Sequence, residues 1–170
     1  MRKEDLTITA MDNGYLIAVT GRANFDYAVP LRELSEKLVP GNWLQFDMEY
    51  CETMDSTFMG VLTMLAMKLR KSGSKVMLIS ASSQLNKLLR DLGVAKLFNF
   101  VSGDEKNAVK PGTAVQEVQL SGKASLLTTA QTVVEAHKTL VEADRSNLEK
   151  FDKVIEFAEQ DVERLKNDNQ

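Results

Sequence analysis

Three short apolar runs, Trp43 to Met48, Val76 to Ile79 and Leu97 to Val101, alternate with stretches whose leucines recur at helical spacing. That cadence constrains the fold more than any other feature. Strand, helix and strand in succession build a parallel sheet through right-handed crossovers. After the first run, Phe58, Leu62, Leu65 and Leu69 share one face of a helix over about 58–69 that stops at Ser72-Gly73. The second run lies within a Lys75 to Ser80 strand and suits a position buried on both faces. Ser82 or Ser83 then caps a helix with Leu85, Leu88, Leu89 and Leu92 facing inward, ended by Gly93.

Ahead of this series, Leu6-Thr7-Ile8-Thr9 alternates as a half-buried strand should. Asn13-Gly14 predicts a hairpin turn into a second strand, Tyr15 to Thr20, closed by Gly21. Leu31, Leu34, Leu38 and Val39 mark a helix ended by Pro40-Gly41. Pro30 is best tolerated in a first turn, which places the start between Asp26 and Val29. The order is a β-hairpin followed by α, β, α, β, α, β. It predicts an α/β fold: a mixed sheet with its helices packed on one face.

Residues 1–103 form the expected domain, and 104–122 a linker with a short strand at Val115 to Leu120. After Gly122 there is no glycine or proline, and Leu148, Phe151, Ile155, Ala158, Val162 and Leu165 follow a heptad. Run backwards, that register meets Val141, Val134, Ala130 and Leu127, but also the polar Asp144 and His137. Ser146-x-x-Glu149 reads as a capping box. It favours a break near Asp144 to Ser146, making residues 123–170 a helical hairpin, with one long helix as the alternative.

Charge and composition narrow the function. The net charge is −3, and residues 123–170 carry the deficit with 7 basic against 10 acidic side chains. A nucleic-acid footprint needs a basic stripe, and a membrane-surface helix favours Lys and Arg, so neither partner is expected. No apolar run is long enough for membrane insertion; Met59 to Met67 is too short and contains Thr63. With one cysteine, Cys51, and an N-terminus that turns acidic at Glu4-Asp5, a cytoplasmic setting is expected.

No catalytic residue is assigned. The only histidine, His137, lies in the tail about 80 residues from the Asp55-Ser56-Thr57 stretch, and reads as a residue packed between helices. Cys51 reads as a small apolar side chain. One histidine and one cysteine cannot complete a typical structural zinc site. Asp47 and Asp55 read as a strand-end acid and a helix cap rather than metal ligands, and no cofactor is expected.

Asp55-Ser56-Thr57 itself stands between a strand and a helix, where unpaired N–H groups and the helix dipole accommodate a phosphate. Ser, Thr and Asp are also the default residues at helix starts, so a plain cap is the competing reading. Phosphorylation would add about −1.5 to −2 charges. With Glu49, Glu52 and Asp55 close in sequence, that charge would repel an acidic partner. Met54 and Met59 flank the triplet and read either as an adaptable contact surface or as core.

Gly21-Arg22-Ala23-Asn24, Phe46-Asp47-Met48, Met54-Asp55-Ser56-Thr57-Phe58-Met59-Gly60-Val61-Leu62, Gly73-Ser74-Lys75-Val76-Met77-Leu78 and Leu88-Leu89-Arg90-Asp91-Leu92-Gly93-Val94 fall in order. Over about residues 4–103 this series resembles the STAS domain of bacterial anti-sigma factor antagonists. The resemblance implies a STAS-like mixed sheet and a binding switch that regulates transcription. In that family the unmodified protein binds an anti-sigma factor serine/threonine kinase, phosphorylation ends the interaction, and a PPM-type phosphatase restores it. Carried onto this chain, the phosphoacceptor is Thr57, with Ser56 as the alternate. Asn24, Asp55, Ser56, Phe58 and Met59 become the partner-binding residues. Phe58 stands where the family usually has glycine, and Asn24 where its regulators often have an acid.

Two further readings compete. One is a constitutive STAS interaction module with no phospho-switch; the other is a STAS subunit of a phospholipid-transport complex. The tail either packs on its own domain or joins two chains into a homodimer.

Overall fold

The computed structural model describes residues 3–104, 114–120 and 123–169. Strands β1 (Asp5–Met11) and β2 (Gly14–Ala23) pair antiparallel, with Leu6 opposite Val19 and Ile8 opposite Ile17. All four of those side chains are buried. The hairpin forms, but Asn13-Gly14 does not supply left-handed residues, since neither has a positive φ. Gly14 serves close approach instead: a Cβ there would lie 2.2 Å from the Trp43 carbonyl oxygen.

Helix α1 (Phe25–Lys37) starts earlier than the proline rule predicts, leaving Pro30 inside the helix. Asn24 overrides that rule, because its side chain accepts from the Asp26 N–H at 2.9 Å and fixes the start. Strand β3 (Trp43–Met54) likewise runs six residues beyond Met48. Its extension pairs with Thr20 to Ala23 of β2, through register shifts between Ala18 and Thr20 and between Gly21 and Arg22. Gly21, expected to end β2, has φ +83° beside the second shift and bends the strand instead.

Helix α2 (Ser56–Arg70), strand β4 (Val76–Ile79), helix α3 (Ser83–Asp91) and, after a 3-10 turn at Ala95–Leu97, strand β5 (Phe98–Val101) complete the series. Of the two serines considered for α3, Ser82 is the cap, its Oγ accepting from the Leu85 N–H at 3.2 Å. Strand β6 (Ala114–Glu117) adds to β1, giving the sheet order β5-β4-β3-β2-β1-β6. The rest of the 104–122 linker lies largely outside the described residues. From β2 to β5 the parallel strands step in one direction, so right-handed crossovers place α1, α2 and α3 on one face. Phe46, Leu44, Leu62, Leu65 and Leu78, all at most 1% exposed, fill the space between sheet and helices.

A third layer lies on those helices. Helix α4 (Leu126–Ala143) and helix α5 (Asn147–Asp168) form the expected hairpin, with α4 seated on α2 and α1. The break falls where the sequence placed it, but the capping box does not form. Ser146 has helical φ and ψ, and its Oγ donates to Asp144 Oδ1 at 2.6 Å. Its N–H bonds the same oxygen at 3.0 Å, so Asp144 takes the place expected of Glu149.

Candidate functional site

The extended end of β3 delivers Asp55 to the gap between two helix starts. Asp55 Oδ1 accepts from the Phe58 N–H at 2.8 Å, and Oδ2 from the Phe25 N–H at 3.0 Å. One carboxylate therefore caps α2 and reaches the first N–H of α1, while the Asp55 N–H donates to the Ala23 carbonyl at 2.9 Å. Burial raises the Asp55 pKa, outweighing the N–H donors that favour the ionised form. Asn24 caps α1 beside it, and a shallow depression lined by Glu4, Arg22, Asn24, Thr53 and Asp55 opens next to the pair.

Three further residues of the predicted site, Thr57, Phe58 and Met59, are buried. Thr57, the phosphoacceptor that the resemblance implies, is 6% exposed. Phe58 and Met59, at 0% and 6%, belong to the hydrophobic core and not to a contact surface. On the face of α2 that carries Ser56 and Gly60, α4 crosses where the sequence reading left that helix open. At Gly60 a Cβ would lie 2.4 Å from the Ala136 carbonyl oxygen, so the two helices touch nearly backbone to backbone. Only a residue without a side chain fits there.

Ser56 meets the one histidine. Its Oγ lies 2.8 Å from His137 Nε2, and His137 Nδ1 lies 2.7 Å from the Val133 carbonyl oxygen. A carbonyl can only accept, so Nδ1 carries the proton, and in the neutral ring Nε2 accepts from the Ser56 hydroxyl. The ring is 2% exposed and meets Phe151 edge-on at 5.0 Å between centroids. Burial lowers the His137 pKa, and the bond to the Val133 carbonyl and the Asp55 carboxylate only partly offset it.

Sequence reasoning placed His137 between helices, where it lies, but missed its bond to Ser56 across 81 residues. It also missed Arg32, whose Nε and Nη2 donate to Glu135 Oε2 and Oε1 at 2.6 and 2.7 Å. The polar interruption of the tail heptad at position 137 was the available signal. At the turn of the hairpin, buried Asn147 Nδ2 donates to the Leu92 and Leu140 carbonyls, leaving its Oδ1 unpaired. Lys150 Nζ donates to the Asp91 carbonyl at 2.8 Å.

The Ser56–His137 pair has the separation of a nucleophile and its base. A base also needs a group that stabilises its cation, and His137 is backed by a neutral carbonyl in a buried setting. Cys51 is no better placed: it is buried and its pKa is raised to about 11. Among the described residues no helix is long and apolar enough to cross a membrane.

The chain is similar to solved structures in fold. A candidate anti-sigma factor antagonist from Thermotoga maritima has a TM-score of 0.50 at 13% identity, over 61% of this chain and 91% of that one. An NMR structure of the protein TM1081 gives 0.51 at 13% identity, over 64% and 89%. The unphosphorylated anti-sigma factor antagonist SpoIIAA gives 0.49 at 14% identity, over 61% and 94%. No curated protein matches the chain. The family described as "Mlab, STAS domain" matches residues 6–101, a span that ends before α4 and α5. That match covers more than half of the 170 residues, and the chain belongs to the STAS domain family.

Proposed function

We propose that this protein is a non-catalytic STAS adaptor that acts by holding a protein partner without a phosphorylation switch. The observation that carries this reading is the burial of Thr57, 6% exposed beside a Ser56 hydroxyl already bonded to His137. In this arrangement Thr57 is buried and the half-buried Ser56 hydroxyl is held by His137, which disfavours a kinase at either position. What stays open is the rim beside the double cap, formed by Arg22, Asn24, Thr53 and Asp55. It is held in one geometry by the Asp55 carboxylate, which suits recognition with little ordering cost.

One observation favours a second reading, an anti-sigma factor antagonist switched at Thr57 or Ser56. The cover over the Ser56 hydroxyl is His137 of the α4–α5 hairpin, which lies outside the matched domain. If the hairpin lifts, Ser56 and Thr57 stand at a helix start, within reach of an anti-sigma factor kinase and a PPM-type phosphatase. The similar structures described as anti-sigma factor antagonists lend it their name but not their chemistry.

Capture of native partners on the full chain separates the readings. The adaptor reading expects one partner retained by wild type and lost from Arg22→Glu, with no phosphate incorporated at Ser56 or Thr57 when ATP is added. An ATPase of histidine-kinase fold that labels wild type but not a Ser56→Ala, Thr57→Ala variant would replace it with the switch. A membrane-associated transport ATPase would instead select the phospholipid-transport reading.

A further inference from the structure

A concave surface lies next to the depression at Asp55 and has no part in the double cap. The start of β1, the first turns of α1 and the chain entering α4 enclose a cavity of about 400 Å³. Its floor is apolar: Leu6 and Val29 are at most 5% exposed, and Tyr27 and Pro30 line it with them. Leu120 also faces the cavity and is left 39% exposed. Around this floor stand Glu4, Asp5, Asp26 and Glu33, four carboxylates against one cation, Lys123. Burial raises the Tyr27 pKa, and the charges of Glu4, Asp5 and Asp26 raise it further, so all three act on one aromatic side chain. Acids on a solvated face need no ligand. Here they converge on an apolar hollow with an aromatic wall, in a chain whose net charge is only −3.

We propose that this groove is a docking pocket of the adaptor, and that its occupant is an arginine side chain presented by the partner protein. The proposal rests on the adaptor reading and adds the partner's chemistry. An apolar floor beneath a carboxylate rim is matched by a side chain that is aliphatic along its stem and cationic at its tip. Arginine fits better than lysine, because a planar guanidinium stacks on an aromatic face and donates to several carboxylates at once. The groove is also continuous with the surface already assigned to the partner. Glu4 lines both this cavity and the depression at Arg22, Asn24, Thr53 and Asp55, so one bound protein spans the two.

The probe is a blocked arginine, N-acetyl-arginine methylamide, titrated into the full chain and followed by the backbone amide signals of Leu6, Tyr27 and Val29. The citrulline counterpart has the same shape without the charge and is titrated in parallel. Saturable shifts at the three amides are expected with arginine. Binding should be about fivefold weaker for citrulline, and weaker by a similar factor in an Asp5→Asn, Asp26→Asn variant, the scale of losing exposed charge contacts. The citrulline arm uses wild type, so it reads the charge requirement even if the variant is unstable. Several results would overturn the proposal. These are no saturable shift at the three amides, citrulline bound as tightly as arginine, full binding by a folded variant, or shifts spread evenly over the acidic surface. A captured partner held equally by wild type and by the double variant would overturn it as well. The titration needs no partner. A chain that takes the blocked arginine but captures no protein loses the adaptor reading, and one that captures a protein but ignores the probe loses only the groove.

Discussion

Asp55 carries more of the local architecture than a single cap usually does. Its two oxygens accept from N–H groups that open different helices, and both bonds are within 3.0 Å. Removing the carboxylate leaves two donors without partners in a half-buried junction. Replacing a good N-cap by alanine costs about 0.5–2 kcal/mol. Asp55→Ala is expected at or above the top of that range, because the second helix start is lost with the first. Asp55→Asn keeps one acceptor oxygen and should fall between wild type and alanine in a denaturant titration. If both variants matched wild type, the carboxylate would not be holding the two helices together. Cys51, a few residues upstream on β3, adds volume and a weak bond from its Sγ to the Thr53 carbonyl at 3.5 Å, and its buried thiol, with a pKa raised to about 11, stays protonated.

At the scale of elements, the tail should behave as a docked layer whose attachment can be weakened separately. Leu140 is its one large side chain buried to 0%, and truncating such a residue costs about 2–5 kcal/mol. Leu140→Ala is expected to lower protection of α4 and α5 in hydrogen exchange, with β2 and β3 unaffected. An equal loss in both would make the hairpin and the domain one cooperative unit. This layering also explains what the sequence disclosed. The strands around Phe46, Leu78 and Phe98 and the helices around Leu62 and Leu85 were legible because each carries a periodic apolar signal. The last six residues of β3 were not, since Glu49 and Glu52 interrupt the pattern and pairing with β2 overrides it. Pro30 was misread because the cap at Asn24 fixes the helix start locally. The docking of α4 was least legible. Its domain-facing stripe is Thr132, Ala136 and Leu140, too small and polar to stand out, and the matching feature on α2 is the absence of a side chain at Gly60.

For the whole molecule, one titration joins the layers. The chain has a single histidine, so between about pH 5 and 7 no other side chain titrates with an ordinary pKa. His137 is buried where α2, α4 and α5 meet, and burial lowers its pKa from the usual 6.5. The unfolded or undocked state therefore binds the proton more readily than the docked one. Stability contributed by the neutral ring is full above the undocked pKa and falls as pH drops from about 6.5 toward the depressed docked value. Asp55 acts with the opposite sign. Its raised pKa makes the docked state the better proton acceptor, so its contribution declines as pH rises from 3.8. The histidine contribution should fall with a slope no steeper than about 1.4 kcal/mol per pH unit for one proton, which His137→Gln separates from that of Asp55. Denaturation or exchange of α4 measured from about pH 8 to 5 should show the decline. His137→Gln, which keeps a polar group near Ser56 without a titrating ring, should flatten it. A decline that persists in His137→Gln would place the pH sensitivity away from the histidine, and the junction of the three helices would then not be where acid loosens the hairpin.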